Sequence, residues 1–571
     1  MIQKGEKLIK TRIHMKNILK LIFGILTVTV MLSACHDLDI PVESALTPEV
    51  YPTTQAQFNS VMGPIYTQLR SDFATGYWQL QSHSSDESMQ PAYGGNWFDG
   101  GRFMQLHMHT WDKDNALVNG NWNYLSNLVG ISNQIIYILR TAPEGAAKRQ
   151  SIAEMKTMRS LAYFLMMDLF GNVPIDTVYG SKELQPNTSR AQVFSFLESE
   201  LKTAIPNLST TSGAAMYGKP NRYVAYTILA KMYLNAQVYT GSAKWNEAIS
   251  ACDSIIKAGG GKLYSFEQRS TYLNMFYPTN GPANKEFIFT IPYDAATSNG
   301  YMFYARYDLN RNLGIRYLYS GSTPGTNVDP IMNQTTGNGL VNTKPSGPRM
   351  TLPEYFAYFD DANDIRNKQW LSGKQYWANG NPIMVKTTKK GYDQFYTGAD
   401  GGDSYTYHLE LSPDVKLRQN PAVFDCGNDE IAWNQGTRNI KFLPDNTNKI
   451  NRNQNNDVPI FRYSDVILMK AEAILRGGSA TDGQTALSLA NSLRANRTTS
   501  PAWTSVTLDN IYAERARELA WETWRRNDMI RFGKFETAWG FKTNTDAYRR
   551  IFPIPTAAMV VNPKLAQNPG Y

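Results

Sequence analysis

The chain has 571 residues, 19% of them charged, with a formal net charge of +8. That composition excludes a disordered tail, and the length predicts several domains. Six of the 57 basic residues (Lys4, Lys7, Lys10, Arg12, Lys16, Lys20) and one of the 49 acids, Glu6, fall within residues 1–35; the 51 and 48 that remain leave only +3, which argues against holding nucleic acid through counterion release. Aromatics make up 12%, with 33 Tyr and 12 Trp, and that richness suits aromatic contact surfaces.

Residues 16–35 carry a basic start, an apolar run from Leu21 to Leu32, and Leu32-Ser33-Ala34-Cys35. This is a secretory signal whose core is too short to span a bilayer comfortably. The last four residues match a lipobox, so Cys35 is predicted to be lipidated and to anchor the chain. Met15 gives a signal of normal length, which leaves Met1 and Met15 as competing starts. Residues 1–34 read as signal peptide and 35–56, with Pro41, Pro48 and Pro52, as a lipidated tether. Three cysteines make no disulfide framework. Cys252 and Cys426 read as small buried hydrophobes.

Residues 57–259 form an N-terminal helical region. Phe58, Val61, Met62, Ile65, Tyr66 and Leu69 share a helical face. Residues 71–113 turn irregular. Helices are predicted at about 114–140, at Ile152–Phe170 with a stop at Gly171 and Pro174, and at Ala191–Ala204. Residues 221–258 form the clearest helix pair. A second pair carries Val466–Ile474 and Ala486–Leu493, with small Ala at its contacts, and resembles tetratricopeptide pairs. Between 260 and 456 the helical period breaks into an irregular, aromatic-rich insertion with short strand-like runs such as Phe287–Ile291. Its Asn-rich segment 446–456 reads as a polar loop. Residues 457–571 return to helix. The predicted fold is mostly α: a helix-pair scaffold with one large insertion and few short strands.

Several segments carry a family resemblance. They are Asp457-Val458-Pro459-Ile460-Phe461-Arg462-Tyr463-Ser464-Asp465 running into a helix, Glu514–Glu522 with Arg525–Lys534, and the ending Phe552-Pro553-Ile554-Pro555 through Asn568-Pro569-Gly570-Tyr571. Upstream, Ser85-Asp86-Glu87, Arg159 and Phe170–Pro174 also fit. In this order, behind a lipobox, they resemble the SusD/RagB family of outer-membrane lipoproteins. The resemblance implies four tetratricopeptide-like helix pairs, a surface site for oligosaccharide or, in RagB-like members, peptide, and a TonB-dependent SusC-like transporter as partner. It implies no catalysis and no cofactor, with membrane attachment through the lipid only. On the residues themselves, Glu514, Glu518 and Glu522 are predicted on one helix face, and Arg517, Trp521 and Arg525 on another, for ion pairing and packing. The Pro-rich terminus is expected to lie back across the scaffold.

A surface site for sugars needs exposed aromatic platforms with polar partners. The segment Tyr93-Gly94-Gly95-Asn96-Trp97-Phe98-Asp99-Gly100-Gly101-Arg102 has that chemistry. Trp97 offers a stacking face; Tyr93, Asn96, Asp99, Arg102 and the upstream Asp86 complete the candidate. The bland alternative packs Trp97 and Phe98 beneath the loop and bridges Arg102 to Asp86 or Asp99. Arg316, Tyr317, Tyr376 and Trp377 are secondary ligand candidates. Trp370 and Trp433 follow, and for all of these a core role weighs more.

His107 and His109 are spaced as on one face of a strand, but no third ligand accompanies them, so no metal is predicted. No nucleophile elbow or phosphate loop occurs. Asp360, Asp361 and Asp364 could mimic a glycosidase carboxylate pair, which keeps a secreted glycoside hydrolase as the alternative to a binding protein. A helical adaptor that binds only protein is the third reading.

Overall fold

The structure, a computed structural model, describes residues 51–297, 307–313, 346–376, 380–387, 405–443 and 454–571. Pro52–Tyr571 form one compact unit. Cys35, Arg316, Tyr317 and Trp377 lie outside the described residues.

The helices are α1 (Gln55–Asp72), α2 (Trp78–His83), α3 (Arg102–Met108), α4 (Ala116–Thr141), α5 (Ala146–Phe170), α6 (Arg190–Ala204), α7 (Arg222–Leu234), α8 (Trp245–Ile256), α9 (Tyr463–Leu475), α10 (Ala486–Arg494), α11 (Leu508–Leu519), α12 (Arg525–Arg531) and α13 (Thr556–Val561), with shorter turns between them. Side chains close six of these N-termini: Thr54, Ser189, Thr485 and Thr507 form capping boxes, and Asn115 and Asn221 each accept two backbone N–H groups. The helices stack as tetratricopeptide-like neighbours: α4 on α5, α5 on α6, α7 on α8, and α9 against α8, α10 and α11. Small residues make the close approaches possible, with Ala230, Ala248, Ala471 and Ala490 all fully buried. Gly171, at φ 71°, ends α5 where the sequence placed the stop. No described helix is long and apolar enough to cross a membrane.

The described part of the insertion is built from two-stranded pairings. β1 (Phe287–Ile291) pairs antiparallel with β8 (Val458–Arg462), so the insertion and the C-terminal region share a sheet. β2 (Trp370–Leu371) pairs with β7 (Arg438–Asn439), β3 (Gly373–Lys374) with β6 (Glu410–Leu411), and β4 (Met384–Thr387) with β5 (Tyr405–His408).

Three expectations need correction. Residues 71–113 are not wholly irregular, because α2 and α3 form within them. The end of the Asn-rich segment is not merely a polar loop: Asn456 is fully buried and donates to the carbonyls of Phe276 and Leu443. Nor does the helix of Glu514 reach Glu522. It stops at Leu519, and Trp521 and Thr523 adopt φ of 65° and 70°. Such backbone persists where surrounding contacts over-determine it. Here the Trp521 N–H donates to Glu87 at 3.2 Å, its indole N–H donates to Asp308 at 3.0 Å, and Glu522 is drawn to Arg462 at 2.7 Å and Lys441 at 2.5 Å. Arg525 accordingly belongs to the next helix, α12.

The charges around α11 form a buried cluster. Arg366, Arg462 and Arg497 all contact Glu518, at 2.8–3.0 Å, and Arg462 and Arg497 share Glu286. Burial alone would raise the Glu518 carboxyl, but these guanidinium groups hold it well below the usual range. The terminal segment crosses the scaffold as expected: the Phe552 N–H donates to Leu169, and Asn568 donates to Phe170.

Candidate functional site

The segment leading to Trp97 is stitched to the insertion. The Met89 N–H donates to Met350 and the Ala92 N–H to Phe424, while the Cys426 N–H returns a bond to Ala92. A tight turn then closes between Tyr93 and Asn96, each donating its N–H to the other's carbonyl. The Asp425 carboxylate receives the N–H of Gly94 and of Gly95 at 2.8 Å, and also that of Gly427 at 2.8 Å. Gly94 is required twice over: its φ is +60°, and a Cβ there would sit 2.6 Å from the Cβ of Asn428.

Tyr93 needs correction as a ligand contact. It is fully buried, stacked 3.9 Å from Trp433 at 13°, so its ring supports the loop from inside and is not offered to solvent. The Arg311 guanidinium packs 4.0 Å from the Trp433 ring, and the Trp433 indole N–H donates to Asn428 at 3.0 Å.

Above this base the loop is open. Asn96 and Asp99 are exposed; Trp97, Phe98 and Arg102 are half-buried. Trp97 and Asp99 hold left-handed backbone, φ 65° and 49°, strain that concentrates at sites fixed for a purpose. The Trp97 ring meets Tyr307 edge-on at 5.4 Å and 83°. Arg102 pairs with Asp99 at 3.2 Å, both over a third exposed, a contact weak enough in water to yield to a ligand hydroxyl. The loop therefore combines a partly open indole with amide, carboxylate and guanidinium groups, the set that can receive a sugar's C–H face and its hydroxyls.

Asp86 also needs correction, since the structure does not bring it to this loop. It is 7% exposed, and Arg525 donates to both its oxygens at 2.6 Å. Tyr376 is 49% exposed and meets His408 edge-on at 4.8 Å. Trp370 and Trp433 are core residues.

The other candidate chemistries resolve into structure. Asp364 is buried and bound through both oxygens by Arg366. Asp361 accepts hydroxyls from Thr498 and Ser500 at 2.7 Å, and these bonds with the Asn363 N–H hold its carboxyl below the usual range despite partial burial. Asp360 is exposed, 3.6 Å from Arg517. His107 and His109 lie at the end of α3, not on a strand, and are buried among Phe424, Phe535 and Trp539. Burial, followed by the charge of Lys542, lowers His107 to about 3 and His109 well below its ordinary value. Among the described residues no group of side chains is placed to hold a metal. Cys252 and Cys426 are buried and unbridged.

The sequence model of the SusD family matches residues 285–571, half of the chain. The chain belongs to the SusD family. A second family model, described as starch-binding associating with outer membrane, matches residues 42–234. Among curated SusD-family relatives, the starch-binding protein SusD of Bacteroides thetaiotaomicron is 24% identical over 439 residues, covering 73% of this chain and 72% of its own. A SusD-like protein of Formosa agariphila is 22% identical over 590 residues, covering 97% and 99%. Among solved structures, a laminarin-binding SusD-like protein superposes with a TM-score of 0.67 at 20% identity, covering 90% of this chain and 99% of that one. Surface glycan-binding protein A of Bacteroides thetaiotaomicron, in complex with laminarihexaose, superposes with a TM-score of 0.62 at 18% identity, covering 90% and 100%. At these identities the structural likeness shows the SusD fold alone.

Sequence reasoning missed Tyr307 and Asp425. Nothing local marks either, because each acts across more than 200 residues of chain. The only sequence sign was the Gly94-Gly95 pair, which signals a loop without naming what holds it.

Proposed function

We propose that this SusD-family chain is a non-catalytic receptor on the outer membrane that binds oligosaccharide and passes it to a TonB-dependent, SusC-like transporter. The observation that carries this reading is the Trp97 loop, an indole in left-handed backbone on a base fixed by Asp425. Two of the SusD-fold relatives are named for binding laminarin or starch, and a third is solved with laminarihexaose. The outer-membrane placement draws on the lipobox ending at Cys35 and on the family description matched at residues 42–234.

The transporter contact we assign to an exposed apolar surface. Tyr137 of α4 and Tyr179 pair at 5.5 Å, with Val178 and Leu184 nearby in sequence. Asn562, just after α13, donates to the carbonyl of Gln185 and brings Val560 and Val561, 78% and 76% exposed, to the same side. Apolar side chains gathered on a surface in this way mark protein contacts.

The test is a panel of oligosaccharides and peptides offered to the chain from residue 36 onward, with binding and new reducing ends measured on the same samples. Saccharide binding without cleavage is expected. Reproducible cleavage would replace the receptor with a hydrolase, and peptide binding alone would replace the ligand class.

A further inference from the structure

We propose a second saccharide-binding cleft, separate from the Trp97 loop, formed by the start of α11, the loop after α12 and the turn Pro353–Phe356, which takes one neutral sugar unit. The proposal rests on the oligosaccharide reading above. The cleft has a volume of 280 Å³, near the lower end of small-ligand sites, about 300 Å³. It suits a single ring better than a chain. No residue of the 93–102 loop lines it.

Its walls are aromatic: Tyr358, Tyr512 and Trp539. Two of them, Tyr358 and Tyr512, are held from behind by one cation. Arg525, chelated by Asp86 through two 2.6 Å bonds, packs its guanidinium 4.1 Å from the Tyr512 ring, 4.9 Å from Tyr358 and 5.1 Å from Tyr355. A buried, bidentate, ring-stacked arginine fixes those rings before any ligand arrives, and a site ordered in advance loses less entropy on binding. Asp86 thus serves this cleft, as the carboxylate that sets Arg525.

The rim supplies hydrogen-bonding groups. Glu354 accepts the Gly540 N–H at 3.1 Å through one oxygen, and Lys534 lies 3.2 Å from one oxygen of Asp509. Each carboxylate keeps its second oxygen for a hydroxyl, and the ammonium keeps further protons. In the wall, Trp539 is 7% exposed, and its indole N–H has no acceptor among the described residues. Asp86, Glu354 and Asp509 outnumber Arg525 and Lys534, so the field disfavours a uronate or sulfate and favours a neutral sugar. An aromatic wall for the C–H face and carboxylates for the hydroxyls are the complement of such a ring.

Isothermal titration of laminarihexaose and of maltohexaose into the chain from residue 36 onward tests this. The variants are Trp97→Ala, Ala538→Trp (an exposed cleft-lining position where a large ring fills the space) and Lys534→Ala, with melting temperatures confirming the fold. One of the two probes is expected to bind at two sites per chain. Either Trp97→Ala or Ala538→Trp should leave one, their combination none, and Lys534→Ala should weaken the cleft about tenfold. Loss of all binding in Trp97→Ala would overturn the cleft and keep the loop. A site lost in Ala538→Trp but neither in Trp97→Ala would keep the cleft and overturn the loop. Single-site binding unchanged by Ala538→Trp, or no binding of either probe, would overturn the cleft.

Discussion

Asp425 holds Gly94: the carboxylate of the first accepts the backbone N–H of the second at 2.8 Å, across 331 residues of chain. With the matching bond from Gly95, this joins the Trp97 loop to the insertion. Loop geometry and insertion geometry are one structural unit.

Asp425→Ala should therefore release the loop. Three backbone N–H groups lose their acceptor, at a cost of about 1–3 kcal/mol each if left buried and unmet. Saccharide affinity should fall about tenfold or more, and Asp425→Asn, which keeps one acceptor oxygen, should recover part of it. Titration of both variants with the saccharide bound by the wild type checks this.

Gly94→Ala should act through the same joint. Positive φ costs a non-glycine residue about 1–3 kcal/mol, and the added Cβ would press on Asn428. A lower melting temperature together with weaker binding is expected, whereas Gly95→Ala, whose Cβ would meet open space, should pay only for its backbone. Equal losses in the two would show that the Asn428 contact does not matter.

Buried charge predicts a pH profile with a stated sign. Burial raises the Glu87 carboxyl from 4.5 to about 7, against hydrogen bonds from Ser82 and Trp521. The folded chain therefore holds this proton more tightly than the unfolded one, and the group's contribution to stability declines as pH rises from about 4.5 to about 7. Glu87→Gln should remove that decline, so its melting temperature relative to wild type should rise across the interval. Glu518 has the opposite sign: its depressed carboxyl contributes above about 4.5, and that contribution is lost as pH falls through its lower folded value. Arg497→Met, which strips one counter-charge from Glu518 and Glu286, should destabilise by about 3–5 kcal/mol near neutral pH. Denaturant titration gives both readings.

The surface proposed for the transporter predicts a separation of effects. Val560→Glu with Tyr179→Asp changes exposed positions, so stability should move by no more than about 0.5 kcal/mol per site. Co-purification with the transporter should be lost while saccharide binding stays. Loss of saccharide binding as well would place the ligand on this face.

The helices were legible because their apolar stripes recur at helical spacing and their caps are local. Phe58, Met62, Ile65 and Leu69 are all buried on α1, as the spacing required. What stayed hidden depends on distant partners. The break after Leu519 cannot be read from Glu514–Glu522, because it is held by Glu87, Asp308, Arg462 and Lys441. The loop at 93–102 was legible as a glycine-rich aromatic segment. Composition does not distinguish an exposed ring from a buried one, so Tyr93 read as a contact though it stacks on Trp433, and Asp86 read as part of the loop though Arg525 holds it elsewhere.

The most direct measurement is the affinity of Trp97→Ala for the saccharide that the wild-type chain binds. If the indole carries the loop site, affinity there falls at least about tenfold, roughly 1.4 kcal/mol, with the melting temperature close to wild type and no new reducing ends from either protein. Unchanged affinity at every saccharide site of a folded variant would contradict the account.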